Sequence, residues 1–65
     1  MPYSFWTDVR GYESVSINET LPGPVLGYLI PTDGGWLIEG DEPATVYTNK
    51  DEAARVLVER YRHSN

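Results

Sequence analysis

Two apolar runs, residues 25–30 and 35–39, flank Thr32-Asp33-Gly34, and no other feature of the 65-residue chain restricts its fold as tightly. Asp-Gly favours the positive backbone angles of a type I′ turn, whose twist matches the strands it joins, so the stretch predicts a β-hairpin. With Asp33 and Gly34 as the turn, Thr32 pairs with Gly35, Pro31 with Trp36, Ile30 with Leu37, Leu29 with Ile38 and Tyr28 with Glu39. Side-chain alternation then places Val25, Gly27, Leu29, Trp36 and Ile38 on one face. Leu26, Tyr28, Ile30, Leu37 and Glu39 fall on the other.

The flanking segments extend this hairpin. Residues 12–17 alternate, with Val15 and Ile17 opposite Tyr12, Ser14 and Ser16, which is the pattern of a half-buried strand. Residues 1–10 carry Tyr3, Phe5, Trp6, Thr7 and Val9, suited either to a short strand or to an aromatic plug over the core. Leu21-Pro22-Gly23-Pro24 breaks regular structure. The loop Gly40-Asp41-Glu42-Pro43 is expected to return the chain through residues 44–47 as a further meander strand.

A helix follows. Thr48 or Asn49 caps a segment starting near Lys50, and Asp51 or Glu52 completes a capping box. At about 100° per residue, Ala53, Ala54, Leu57, Val58 and Tyr61 form one stripe, opposite Arg55, Glu59 and Arg62. The helix is expected to end near Arg62, with residues 63–65 frayed. The expected fold is therefore one α+β domain over residues 1–65, with an N-terminal aromatic segment (1–10), a β-meander (12–47) and a helix (50–62). Its small antiparallel sheet has three to four strands, and the C-terminal helix packs on one face. Gly27 would let that helix approach closely. One helix cannot cover both faces, so Leu26, Tyr28, Ile30 and Leu37 need the N-terminal aromatics, a second subunit or a partner.

Charge separates along the chain. Before Lys50, Asp8, Glu13, Glu19, Asp33, Glu39, Asp41 and Glu42 face only Arg10, leaving −6 of the total −5; the remainder contributes +1. Such a body repels phosphate and attracts basic surfaces within about 8 Å at physiological salt, which argues against direct nucleic-acid binding. The seven acids match the charge on only ~12 Å of duplex axis, so any imitation of nucleic acid is local. It suits a short recognition site such as the one a CRISPR effector reads before unwinding.

Catalytic chemistry finds little support. His63 is the only histidine and lies in the expected frayed tail, the serines lack a nucleophile elbow, and Asp41-Glu42 reads as a solvated turn. Gly34-Gly35 has neither a phosphate-loop lysine nor a dinucleotide fingerprint. With no cysteine there is no disulfide framework, and the chain is expected to be a non-enzyme without cofactor or metal. The longest apolar stretch is too short for a membrane span, and the N-terminus lacks a signal pattern, so a cytoplasmic location is expected.

Gly35-Trp36-Leu37-Ile38 followed by Val46-Tyr47-Thr48-Asn49-Lys50-Asp51-Glu52-Ala53-Ala54 resembles the strand-strand-helix pattern of arm-type DNA-binding domains in phage integrases. The resemblance covers about half the chain and implies a sheet-plus-helix fold. Integrase arms present basic strands, whereas this sequence places Asp33, Glu39, Asp41 and Glu42 there. In size, acidity and lack of catalytic residues the chain is similar to the small phage inhibitors called anti-CRISPR proteins, several of which block nucleic-acid sites with acidic surfaces.

Together these features imply an acidic inhibitor or binding module that docks, as a monomer or weak homodimer, on a basic nucleic-acid-binding protein or complex, CRISPR effectors included. Asp33, Glu39, Asp41 and Glu42 would supply charge, with Tyr28 and Tyr47 as aromatic anchors. The alternatives are a homodimeric structural or regulatory domain that buries its second sheet face against itself, and a divergent DNA-binding arm.

Overall fold

A computed structural model describes residues 2–18 and 23–63. Four strands, β1 (Tyr3–Thr7), β2 (Glu13–Ile17), β3 (Val25–Thr32) and β4 (Gly35–Ile38), precede one helix, α1 (Lys50–His63). The strands form an antiparallel sheet in the order β1-β2-β3-β4, with α1 packed across one face, an α+β architecture. Most of the connection at residues 19–24 and the tail at 64–65 lie outside the described residues.

The central hairpin has the register expected from its sequence: Leu29 pairs with Ile38, Ile30 with Leu37, Pro31 with Trp36 and Thr32 with Gly35. The Glu39 amide continues it by donating to the Tyr28 carbonyl at 2.9 Å. The turn itself departs from type I′. No described non-glycine residue has positive φ, so Asp33 keeps negative φ while Gly34 (85°) and Gly35 (154°) take the positive values. Two successive glycines let the chain reverse without placing a side chain in the left-handed region.

The helix face carries Val15, Ile17, Leu29 and Ile38, which close on Ala53, Ala54, Leu57 and Val58, with Trp36, Tyr47 and Tyr61 at the margin. A Cβ at Gly27 would lie 3.0 and 3.2 Å from the Leu57 methyls, so the glycine permits the close approach expected of it. Val25 and Leu26 exchange the faces that strict alternation assigns. The register shifts between Val15, opposite Gly27, and Ser16, opposite Val25, so Leu26 is left over as a bulge. Leu26 consequently packs against the core, and Val25 is exposed.

The N-terminal segment is a strand, not a plug. It pairs with β2 through Tyr3–Ile17, Phe5–Val15 and Thr7–Glu13, sending Tyr3 and Phe5 to the helix side and leaving Trp6 on the other. The Tyr3 and Phe5 rings meet edge to face at 5.5 Å, and the Tyr3 hydroxyl donates to Asp51 at 3.0 Å. The expected strand at 44–47 contracts to a single bridge between Tyr47 and Trp36, made by two 2.8 Å backbone hydrogen bonds. Ala44, Thr45 and Val46 are exposed, so only Tyr47 has a side chain that core packing can hold.

At the helix start, Asn49 Oδ1 accepts the Glu52 amide at 2.8 Å, while the Thr48 hydroxyl donates to the Glu52 carboxylate at 3.0 Å. Asn49 is thus the cap, and Thr48 and Glu52 reinforce it. At the other end the helix includes His63, a residue expected in the frayed tail, its Nε2 lying 3.1 Å from Glu59 one turn earlier. This pairing across one turn extends the helix a residue past its expected end.

Candidate docking surface

With α1 on one side and β1 in the plane of the sheet, no described element lies over the opposite face. Trp6, Ser14 and Tyr28 are cross-strand neighbours there, and Glu39 follows beside Tyr28. Ile30 and Leu37 form the next apolar pair, and Val25 stands nearer the far end of β3. Trp6 is 73% exposed, Val25 51% and Tyr28 37%, whereas Ile30 and Leu37 are half-buried. Ser14 is buried between the two aromatic side chains and donates its hydroxyl to the Trp6 carbonyl at 3.0 Å.

Arg10 crosses this face. The β1–β2 turn is held by Asp8, whose Oδ1 accepts the amides of Arg10 and Tyr12 at 2.9 and 3.1 Å. Its Oδ2 accepts the Arg10 guanidinium at 2.8 and 3.1 Å. The guanidinium carbon sits 4.2 Å from the centre of the Tyr12 ring and 5.2 Å from that of Tyr28, and Nη1 reaches to 3.5 Å from Glu39. Desolvation pushes the Asp8 carboxyl up, but the hydrogen bonds from the Arg10 side chain and from the Tyr12 and Arg10 amides outweigh it, leaving Asp8 below its ordinary range. One cation therefore links two carboxylates and covers two aromatic rings, joining the turn to the end of β4.

The residues singled out from the sequence do not form one cluster. Tyr28 lies centrally on the uncovered face with Glu39 beside it, while Asp33 is exposed at the β3–β4 tip. Tyr47 packs at the margin of the core, bridged to Trp36, so it is not an anchor on this face. Asp41 is bound to the helix: its two oxygens accept Arg60 Nη1 and Nη2, each at 2.8 Å. Glu42 is exposed. Among the described residues, Asp33 and Glu42 are the carboxylates that no cation or hydrogen-bond donor engages, so the free negative charge is narrower than composition suggests. Trp6 and Arg10 were absent from the expected site. The signal for Arg10 was Asp8-Val9-Arg10-Gly11, a turn sequence whose aspartate can bind the amides that follow it.

The side-chain hydrogen bonds from Arg60 hold Asp41 below its ordinary value of 3.8, outweighing desolvation. A depressed carboxyl adds stability above the unfolded value and loses it as pH falls through the folded one. Asp41→Asn is therefore expected to cost about 0.5–1 kcal/mol at neutral pH, because the pair is partly exposed. In urea titrations at successive pH values, the gap from wild type should close as pH drops below 3.8. A gap that persists at full size in acid would mean that the ion pair is not its source.

No described helix is long and apolar enough to cross a membrane, and no group of three His, Cys, Asp or Glu among the described residues could hold a metal ion. No protein family, curated protein or solved structure matches the chain.

Proposed function

We propose that this chain is a non-enzymatic binding module, an inhibitor of anti-CRISPR type, that lays its helix-free sheet face on a basic nucleic-acid-binding surface of a partner protein. The observation that carries this reading is the uncovered face itself. A 73% exposed tryptophan stands there across Ser14 from Tyr28, with Ile30, Leu37 and Val25, in a chain of net charge −5. Exposed aromatics of this kind form the energetic centre of interfaces, and the chain's charge selects a positive partner and speeds encounter with it. Glu39 takes part through Arg10, whose release from Tyr28 would expose the ring to the partner. Asp33 and Glu42 supply long-range attraction.

Reversal of the two unengaged acids tests the electrostatic half of this reading. Asp33→Lys/Glu42→Lys should leave the urea midpoint unchanged, since neither side chain has a partner to lose among the described residues. Wild type and variant are immobilised and exposed to cell lysate at low salt. The wild type should retain a basic nucleic-acid-binding protein that a salt step releases, and the variant should retain much less of it. Equal retention of the same protein by both would remove the proposed role of these acids.

A further inference from the structure

The two edges of the sheet are finished differently. On β4, Tyr47 takes both the amide and the carbonyl of Trp36, closing that edge with the chain's own backbone. On β1, β2 is the only strand paired among the described residues. Antiparallel pairs alternate between hydrogen-bonded and non-hydrogen-bonded partners. The Asn18 amide donates to the Pro2 carbonyl at 2.9 Å and the Asp8 amide to the Tyr12 carbonyl at 2.9 Å, so the even positions of β1 face β2. The amides and carbonyls of Tyr3, Phe5 and Thr7 therefore point away from the sheet. Three of the devices that usually blunt an edge are missing from the strand: Tyr3–Thr7 contains no charge and no proline, and its register with β2 runs unshifted. Pro2 lacks an amide only on the side that faces β2.

We infer that β1 pairs with β1 of a second copy of this chain, antiparallel about Phe5, to make an eight-stranded sheet. In that register Phe5 opposes Phe5, Tyr3 opposes Thr7 and Ser4 opposes Trp6. Every outward amide and carbonyl of the strand then finds a partner, about six hydrogen bonds in all. The register suits the side chains: the large Trp6 meets the small Ser4, and the two Phe5 rings meet across the axis. Charge permits the approach. Among the described residues the acids next to β1 are each engaged, Asp8 by Arg10 at 2.8 Å, Glu13 by Lys50 at 3.6 Å and Asp51 by the Tyr3 hydroxyl at 3.0 Å, and the unengaged Asp33 lies beyond β3. The two-fold axis is normal to the sheet, so both helices fall on one side and both uncovered faces on the other. One such face spans roughly 320 Å² in projection, for strands ~4.8 Å apart and five residues long. A standard interface buries about 800 Å² per partner, so pairing brings the docking face nearer to that size. Self-association does not require the docking reading to hold.

The test is a chain made by total synthesis with the Phe5 amide N-methylated. The modification removes an outward donor and adds a methyl on the open edge without touching the β1–β2 ladder. Sedimentation equilibrium over about 10 µM to 1 mM should show the unmodified protein moving from 7.3 kDa toward twice that mass. The N-methylated protein should stay at 7.3 kDa with the same far-UV circular dichroism and urea midpoint. Should N-methylation disturb the fold, Thr7→Pro removes another outward amide and should likewise give a monomer. In the unmodified protein, hydrogen exchange at Tyr3, Phe5 and Thr7 should slow as concentration rises. A wild type that remains monomeric throughout, or a dimer that survives both changes at β1, would overturn the proposal.

Discussion

Gly35→Ala is expected to lower the unfolding free energy by about 3 kcal/mol, from strain at positive φ together with a forced separation of backbones. At φ 154° the glycine lies so near the strap after β4 that a Cβ would overlap the Tyr47 carbonyl and press on Thr48 Cα. Backbone atoms cannot yield as the end of a side chain does. The substitution would have to break the paired 2.8 Å hydrogen bonds between Trp36 and Tyr47, which position the chain immediately before the Asn49 cap of α1. A domain of this length has only about 3–5 kcal/mol in hand, so the variant should keep no more than about 2 kcal/mol and unfold at a much lower urea concentration. Gly34→Ala is the control. Its φ is 85°, but nothing lies within 4 Å of a Cβ there, so only the left-handed strain of about 1–2 kcal/mol applies. Urea unfolding followed by circular dichroism separates the two. A Gly35→Ala loss below about 1 kcal/mol would mean that the strap moves aside freely.

Trp6→Ala should have the opposite profile, with a large effect on binding and little on folding. The indole is 73% exposed and belongs to no part of the core, so stability should change by less than about 0.5 kcal/mol. As the largest exposed side chain on the uncovered face, it is placed to act as the anchor of an interface. Truncation should weaken affinity for the captured partner by about 2 kcal/mol, roughly thirtyfold in Kd. Titration calorimetry, at a concentration where both proteins have the same mass, gives the ratio. Unchanged affinity would move the contact off this face.

The hairpin and the helix were legible because each is specified by local chemistry. Asp33-Gly34 between two apolar runs fixes one register, and Asn49 with Glu52 three residues later fixes the start of α1. The core stripe Ala53, Ala54, Leu57 and Val58 follows from helical spacing alone. Where the chain departs from expectation, the cause is an interaction between segments. The bulge that exchanges Val25 and Leu26 depends on how β2 meets β3, which alternation within one strand does not encode. Tyr47 looked like a surface aromatic because its burial comes from Trp36, eleven positions earlier. The acidic cluster was read from proximity in sequence. Residues 39–42 diverge in space because Glu39 follows Arg10 across the open face, whereas Asp41 turns to Arg60 on the helix. The surplus apolar face was legible in outline, since a single helix covers one side of a sheet. Arg10 was not, because its role depends on a turn that brings Asp8, Tyr12, Tyr28 and Glu39 within reach together.

The most direct measurement places a photoreactive diazirine side chain at Leu37, on the uncovered face, and separately at Arg55, on the solvent side of α1, and irradiates each protein with the captured partner. Mass spectrometry should find the Leu37 probe joined to a lysine- or arginine-rich segment of the partner's nucleic-acid-binding surface, with little adduct from position 55. Adducts from position 55 alone, or none from position 37 while the partner remains bound, would contradict a docking role for the helix-free face.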